Sequence, residues 1–268
     1  MSGALVRPSK LIAVHLNYRS RAAERGKSPA NPSYFLKAPS TITTSGAVVE
    51  RPAGTRLLAL EGEIAVVIGT RARRVGRADA WSHVGSVTAA NDFGVYDLRY
   101  ADPGSNVHSK GFDGFTPIGP ELIDAAAVEP GDLHLRTWVN GEIVQDALTS
   151  EDMLFDPAFV IADLSRMMTL EPGDVILMGT PTGSSVVEPG DVVEVEVTAG
   201  DLSSGRLRSP IGTADHALDE AGALPRVDEA TLDAAYGAGG IPESALALHT
   251  DRDRDRDRDH ASTDGAHA

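Results

Sequence analysis

The chain has 268 residues, of which 41% are hydrophobic and 24% charged, and its formal net charge is −15. This composition is typical of a globular protein, and the acidic balance argues against non-specific binding to nucleic acids. Cysteine is absent, which excludes disulfides, thiolate catalysis and cysteine-bound zinc, so any metal would need oxygen or imidazole ligands.

The first predicted element is a strand over LIAVHL, residues 11–16. The apolar patch around it has no signal-peptide cleavage site, and no apolar run approaches the roughly 20 residues of a membrane span. We therefore expect a cytoplasmic protein with no membrane partner. A short helix over residues 21–25 is predicted to stop at Gly26, and a long polar loop follows it.

The next predicted strand, LLALEGEIAVVIG at residues 57–69, carries two carboxylates inside an apolar run. Side chains alternate between the two faces of a strand, so Glu61 and Glu63 should point the same way, about 6–7 Å apart. Such a pair is able to converge on one cation, which would relieve the repulsion between two like charges. The pattern fits an edge strand with two solvated glutamates equally well.

A strand over VTAAND, residues 87–92, is predicted to leave Asp92 at its end. Strand ends are places where site residues collect, although Asn-Asp is also ordinary turn chemistry. In the polar and aromatic segment that follows, His108 and Lys110 have the i, i+2 spacing of a strand. Neither of them indicates a function by itself.

Three copies of the sequence Glu-Pro-Gly-Asp occur at residues 129–132, 171–174 and 188–191, and each precedes a predicted strand. Proline in the second position and glycine in the third are typical of a type II turn. The unequal spacing of the copies argues against a repeat architecture.

The best predicted helix begins with Asp156 as N-cap and Pro157 in the first turn. Its apolar face includes Met167 and Met168, which we interpret as core residues. The strand VILMGTPTGS then runs into glycines and threonines that expose backbone N–H groups and hydroxyls. Residues 179–184 lack the lysine and the following helix of a phosphate-binding loop, which excludes that interpretation.

From residue 215 onward the sequence is rich in Ala, Gly and Asp and ends in alternating Asp-Arg. Such a pattern has no hydrophobic periodicity and cannot bury a core. Residues 215–268 are therefore predicted to be an acidic, largely disordered tail, at least from His249, with one possible helical turn at residues 228–236.

Eight collinear stretches across about residues 10–210 resemble the fumarylacetoacetate hydrolase family in order and spacing. They are LNYRSRAAERG, YFLKAPS, LEGEIAVVIG, AANDFGVYDL, KGFDGFTPIGP, VNGEIVQD, MMTLEPGD and VILMGTPTG. NYRS and DGFTPIG are most similar to the bacterial branch of 4-hydroxyphenylacetate breakdown. That branch contains 2-hydroxyhepta-2,4-diene-1,7-dioate isomerase and 5-oxopent-3-ene-1,2,5-tricarboxylate decarboxylase.

The resemblance implies an α+β fold, a mixed and mainly antiparallel β-roll or sandwich with a few short helices, assembled as a homodimer. Residues 1–214 would form a single catalytic domain, in which residues 1–50 are the N-terminal strand and a lid segment. The implied activity is that of a metal-dependent isomerase or decarboxylase acting on a small 2-hydroxy-dienoic or 2-oxo dicarboxylic acid.

The resemblance also implies a Mg²⁺ or Mn²⁺ ion in an all-oxygen site, which suits a hard cation. Carried over residue by residue, the ligands are Glu61, Glu63 and Asp92, and the residues that face the substrate are Lys110, Thr180 and the adjoining Gly179. Lys110 is a candidate to shuttle or stabilise the proton if the metal lowers its pKa.

This chain departs from the hydrolytic members of the family, whose lid helix carries a histidine and, three residues later, a glutamate that activate water. Arg21 replaces the histidine, and Glu24 is retained as the remaining candidate base. Arginine stays protonated, so C–C hydrolysis ranks below isomerisation or decarboxylation, and Arg21 is interpreted as a clamp for a distal carboxylate.

Tyr96 and Arg99 stand where an arginine and a glutamine usually contact substrate. An acylpyruvate- or fumarylpyruvate-type hydrolase and a catalytically idle relative that binds a metal or an acid remain the alternatives.

Overall fold

The computed structural model describes residues 7–218, 221–237 and 240–246. The strands are β1 (Leu11–His15), β2 (Ser33–Lys37), β3 (Ile42–Thr43), β4 (Val49–Ala53), β5 (Leu58–Ala59), β6 (Gly62–Ile68), β7 (Val84–Asn91), β8 (Gly94–Val95), β9 (Thr116–Asp124), β10 (His134–Val139), β11 (Glu142–Leu148), β12 (Val175–Leu177), β13 (Val192–Ala199), β14 (Leu202–Ser203) and β15 (Leu207–Ala217). The helices are α1 (Arg19–Glu24), α2 (Arg77–Ala80), α3 (Val107–Lys110), α4 (Thr149–Asp152), α5 (Pro157–Met167) and α6 (Glu229–Tyr236). Among the described residues, no helix has the length and apolar character needed to cross a membrane.

Two large sheets and a small ribbon organise these strands. The first sheet has the order β2-β1-β12-β6-β7-β9-β3, the second has the order β11-β10-β13-β15-β4 with β14 beside β13, and β5 pairs with β8. The pairs β1–β12, β3–β9 and β4–β15 are parallel, and the others are antiparallel. This mixed and mainly antiparallel arrangement with short helices confirms the predicted α+β fold class.

The main core is formed jointly by the two large sheets and α5. Ile64 of β6, Leu135 of β10 and Leu164 of α5 are fully buried members of one apolar cluster. Ala65 belongs to a separate cluster on the opposite face of the first sheet. Because side chains alternate along β6, Glu63 points to the same face as Ala65, away from the main core.

The Glu-Pro-Gly-Asp sequences form two kinds of turn. Gly173 and Gly190 have φ of +89° and +101°, as a type II turn requires of its third residue. In both of these copies the aspartate carboxylate accepts the N–H of the glutamate at 2.7 Å. The first copy differs, since Pro130–Asp132 forms a 3-10 turn, whose right-handed dihedrals do not require a glycine.

Three local expectations were wrong. The glutamate stretch is not one strand, because β5 ends at Ala59 and β6 begins at Gly62, and the N–H of Glu61 bonds to a side chain instead of a neighbouring strand. Lys110 lies in the short helix α3 and not in a strand. Met167 is 57% exposed, and Met168, just after α5, contacts the core in its place.

The predicted boundary at residue 214 also differs from the structure, because β15 continues to Ala217. The possible turn predicted at residues 228–236 is a capped helix, α6, in which the Asp228 carboxylate accepts the N–H of Thr231 at 2.9 Å. Leu232 of α6 is fully buried in a cluster with Leu57 and Tyr96. Residues 221–237 therefore pack on the fold instead of belonging to a disordered tail, while His249 and the Asp-Arg repeat lie outside the described residues.

Candidate active and metal site

Three carboxylates meet where β6 begins and β7 ends. Gly62 lies opposite Asn91 in the β6–β7 pair, which places Glu61 and Glu63 beside Asp92, the residue after β7. One oxygen from each carboxylate lies within 4.8 Å of the others. Glu63 and Asp92 are 2% and 1% exposed, so the structure brings the three residues carried over as ligands into one buried cluster.

Backbone bonds at the strand break hold these residues in place. The N–H of Asp92 donates to the carbonyl of Glu61 at 2.8 Å. The N–H of Glu61 donates to the side-chain oxygen of Asn91 at 2.9 Å. The N–H of Gly179 donates to Glu63 Oε2 at 2.6 Å, which joins the cluster to the glycine-threonine loop.

The cluster carries opposed pKa shifts. Burial and the neighbouring carboxylates of Asp92 and Glu61 raise the pKa of Glu63 well above its ordinary value. Burial alone would also raise the pKa of Glu61, but the cations of Lys110 and Arg21 lower it. Crowded negative charge and an oxygen-only donor set fit a hard divalent cation, which would remove the repulsion that raises the pKa of Glu63.

Two buried lysines face the carboxylates. Lys110 Nζ lies 2.6 Å from Glu61 Oε2 and also donates to Asp92 Oδ2. Burial alone would lower the pKa of Lys110, but the carboxylates of Asp92 and Glu61 outweigh burial and raise it. Lys37 donates to Asp92 Oδ1, and burial lowers its pKa despite that contact.

Sequence reasoning assigned no role to Lys37, which follows the predicted helix in the long polar segment. Lys37 is 4% exposed, whereas Leu36 is 57% exposed. The available signal was alternation, because Phe35 and Lys37 share the buried face of β2. A lysine on the same strand face as a buried aromatic residue indicates a buried anionic partner.

One cavity lies in front of the cluster. Its lining includes the three carboxylates together with Lys110, Gly179, Thr180, Tyr96, Arg99, Arg21 and Arg25. Tyr96 donates its hydroxyl to Glu61 Oε1 at 2.5 Å, so it contacts a carboxylate of the cluster directly. Arg99 lies over the Tyr96 ring, 5.0 Å from its centroid. Glu24 is not among the lining residues.

Helix α1, which the family resemblance implies is part of a lid, holds a buried ion pair. Arg21 Nη1 donates to Glu24 Oε2, and the two side chains are 4% and 3% exposed. Burial alone would lower the pKa of Arg21, but the Tyr96 hydroxyl and the carboxylates of Glu61 and Glu24 raise it. Arg21 therefore stays charged and cannot act as a base. It also forms an ion pair with the carboxylate of Glu24.

A second residue that sequence reasoning missed, Gln145 of β11, links the carboxylates to the loop after β12. Its Oε1 accepts the N–H of Gly62 at 3.1 Å, and its Nε2 donates to Thr180 Oγ1 at 2.8 Å and to the carbonyl of Pro181 at 3.0 Å. Gln145 is 2% exposed. A buried amide in a strand, at a position that matches the family stretch VNGEIVQD, was the available signal.

Gly62→Ala should weaken both the fold and Mg²⁺ binding. A Cβ at this position would lie 2.0 Å from Thr137 Oγ1 and 2.8 Å from Gln145 Oε1, so β6 must move between the two glutamates. We expect a loss of about 1–3 kcal/mol in the free energy of unfolding and an affinity for Mg²⁺ at least about tenfold lower. Urea denaturation and calorimetry measure these changes. Gly222→Ala is the matched control, since nothing lies within 4 Å of its Cβ position. Wild-type Mg²⁺ affinity in Gly62→Ala would contradict the expectation.

Comparison with known proteins supports the predicted family. The profile of the fumarylacetoacetate (FAA) hydrolase C-terminal family matches residues 10–212. The 4-hydroxyphenylacetate degradation bifunctional isomerase/decarboxylase of Escherichia coli is 44% identical over 191 residues, which are 70% of this chain and 44% of that relative. The chain thus spans less than half the length of this relative. A Mycobacterium tuberculosis protein is 38% identical over 205 residues, 76% of this chain and 75% of the relative.

Solved structures agree with the sequence relatives. The crystal structure of 2-hydroxyhepta-2,4-diene-1,7-dioate isomerase from Mycobacterium marinum superposes with a TM-score of 0.69 at 35% identity, covering 78% of this chain and 77% of that one. That of 5-carboxymethyl-2-hydroxymuconate delta-isomerase from Mycobacterium smegmatis gives 0.70 at 36% identity, with 78% of each chain covered. In sequence over residues 10–212 and in fold, this chain belongs to the fumarylacetoacetate hydrolase family.

Proposed function

We propose that the protein is a divalent-metal-dependent isomerase or decarboxylase of a small 2-hydroxy-dienoic or 2-oxo dicarboxylic acid, of the kind formed in 4-hydroxyphenylacetate breakdown. The observation that carries the proposal is the oxygen-only cluster beside buried Lys110, in a cavity that is also lined by three arginines. The names of the relatives, an isomerase/decarboxylase and two isomerases, support it.

Glu61, Glu63 and Asp92 would hold a Mg²⁺ or Mn²⁺ ion. That ion would supply Lewis-acid stabilisation of negative charge on the oxygens of the bound acid. The three carboxylates are well suited to this role, because Asn91, Tyr96 and Gly179 already fix the backbone or side chains around them.

We assign Lys110 the role of a fixed cation. Without a bound metal, the carboxylates of Asp92 and Glu61 outweigh burial and raise the pKa of this lysine, so the proton shuttle considered from the sequence would require the metal to reverse that shift. A fixed ammonium group stabilises the negative charge that develops on the substrate when a proton or CO₂ leaves. Thr180 Oγ1 accepts from Gln145, which leaves the hydroxyl proton of Thr180 free to donate to a substrate carboxylate.

The lid argues against hydrolysis as the main reaction. A hydrolase needs a base that removes a proton from water, and Arg21 stays protonated in its place. Glu24 is bound by Arg21 and lies outside the lining of the cavity. The hydrolase and the idle relative therefore rank below the isomerase or decarboxylase.

The test is incubation of the purified protein and Mg²⁺ with a set of 2-hydroxy-dienoic and 2-oxo dicarboxylic acids, followed by dienol absorbance and product analysis. A product that keeps all its carbons supports the isomerase, and release of CO₂ supports the decarboxylase. A pyruvate fragment would favour the hydrolase, and no turnover with any acid would favour the idle relative. A chelator added to the same reactions should remove the activity if it depends on the metal.

The homodimer implied by the family resemblance is part of the proposal. Light scattering should give about twice the 28.1 kDa mass of the chain. A single-chain mass at working concentration would reject the dimer without affecting the proposed chemistry.

A further inference from the structure

Arg25, just after the lid helix α1, lines the same cavity as Arg21 and Arg99. The three guanidinium groups differ in how their charge is compensated. Arg21 is paired with the carboxylate of Glu24. In the part of the chain that the structure describes, neither Arg25 nor Arg99 forms an ion pair with a carboxylate.

The environment of Arg25 would favour an anion. Burial lowers its pKa, and the nearby cations of Arg21 and Arg99 lower it further. Like charges gathered at a cavity wall repel one another, and a bound carboxylate would turn that repulsion into attraction. A planar guanidinium is also the side chain best matched to a carboxylate, because it can bind both oxygens at once.

The C-terminal helix α6 holds Arg25 at this wall. The guanidinium of Arg25 donates to the backbone carbonyl of Ala234 and, at 3.4 Å, to that of Asp233. Both carbonyls lie in the last turn of α6, where the helix dipole favours a cation, and the carbonyl of Asp233 also accepts the N–H of Gly237. The guanidinium has five N–H donors, so this contact leaves others for a ligand.

Packing fixes α6 against the same wall of the site. Leu232 and Ala235 are fully buried, in one cluster with Tyr96. Tyr96 in turn carries Arg99 over its ring and donates its hydroxyl to Glu61. One face of α6 thus contacts the support of Arg99, while its carbonyl end contacts Arg25.

We propose that Arg25 and Arg99 bind the second carboxylate of the substrate and that α6 positions Arg25 for this purpose. The inference rests on the proposed function, since it takes the substrate to be a dicarboxylic acid whose first carboxylate binds near Thr180 and the carboxylate cluster. Helix α6 lies beyond residues 10–212, so a segment outside the family match contributes to the preference of the site for a dicarboxylic acid.

Calorimetry of the full-length protein with Mg²⁺ tests whether Arg25 and Arg99 bind the second carboxylate. The probes are 2-oxohexanedioate, which has that carboxylate, and 2-oxohexanoate, which lacks it. The wild type should bind the diacid more tightly than the monoacid. Arg25→Met should weaken diacid binding by about 10- to 100-fold and monoacid binding by less than about threefold. Arg25→Lys should recover part of the diacid affinity. Mg²⁺ affinity should stay at the wild-type value in both variants, which shows that the fold is intact.

A matched pair of variants in α6 tests the positioning role. Leu232→Asp puts a carboxylate into a fully buried position and should undock the helix, whereas Ala230→Asp makes the same kind of change at an exposed position. We expect Leu232→Asp to lower the diacid-to-monoacid affinity ratio as Arg25→Met does, and Ala230→Asp to keep the wild-type ratio.

The proposal that Arg25 and Arg99 bind the second carboxylate would be overturned if Arg25→Met lost affinity equally for both acids, or if the wild type bound the two acids equally tightly. An unchanged affinity ratio in Leu232→Asp with wild-type Mg²⁺ affinity would overturn the role of α6. These results are separate from the proposed function. If the protein turns over no acid but shows the expected diacid-to-monoacid affinity ratios, it is an idle relative that binds the second carboxylate through these arginines. If it turns over dienoic acids without those ratios, it is an enzyme in which the arginines do not bind the second carboxylate.

Discussion

Glu63→Gln should abolish the thermal stabilisation that Mg²⁺ gives to the protein and lower activity by on the order of 1,000-fold or more. Glu63 is 2% exposed, and one of its oxygens accepts the N–H of Gly179, which leaves the other for a cation. An amide keeps the shape of the side chain but removes the charge that an ion needs. At a Mg²⁺ concentration 100 times its Kd, the wild type should gain about 2.7 kcal/mol, or roughly 5–10 °C in Tm.

Thermal unfolding of Glu63→Gln with and without Mg²⁺ measures this effect. Without metal, the variant should be at least as stable as the wild type, because the substitution removes repulsion from Asp92 and Glu61. Glu142→Gln, an exposed change in β11, is the control and should keep both the metal-induced shift and the activity. A Mg²⁺-dependent rise in Tm of wild-type size in Glu63→Gln would remove Glu63 from the metal site.

The carboxylate cluster shows which part of the site was readable from sequence. The alternation rule predicted that Glu61 and Glu63 lie on one side, and the strand predicted at residues 87–92 put Asp92 at its end; in the structure Asp92 follows β7 directly and the three carboxylates meet. The rule could not reveal that the chain breaks between β5 and β6. That break depends on the side chain of Asn91, which replaces a strand partner of Glu61.

The residues that sequence reasoning missed depend on contacts between distant parts of the chain. Lys37 is buried because β2 pairs with β1 at the edge of the first sheet and its ammonium reaches Asp92, 55 residues away. Arg25 ends the short helix predicted at residues 21–25, and its guanidinium donates to a carbonyl 208 residues further along the chain. The docking of α6 likewise depends on apolar partners such as Leu57 that lie far from it in sequence. Local periodicity predicts where helices and strands lie along the chain, but it does not predict which of them pack against each other in the fold.

Lys110→Met should lower kcat by roughly 100- to 10,000-fold while Mg²⁺ binding is kept or strengthened. The ammonium of Lys110 lies 2.6 Å from Glu61 Oε2 and also donates to Asp92. In the proposed reaction it stabilises negative charge on the substrate, so its loss should act on the chemical step. In the resting protein it competes with the ion for two of the three carboxylates, so its loss should not weaken the metal site. Steady-state kinetics and Mg²⁺ calorimetry on the same preparation separate the two effects.

A lower kcat together with kept or higher Mg²⁺ affinity in Lys110→Met would distinguish a catalytic cation from a merely structural one. If Lys110 only held Glu61 and Asp92 in position, Lys110→Met would lower Mg²⁺ affinity and activity together, and saturating Mg²⁺ would restore kcat. Lys27→Met removes an ammonium from an exposed position and should change neither quantity. Methionine is nearly as long as the lysine it replaces, so the stem that packs beside Gly94 is retained, and collapse of the cavity cannot account for a loss of kcat. A variant with near-wild-type kcat would show that Lys110 does not stabilise the charge that develops on the substrate.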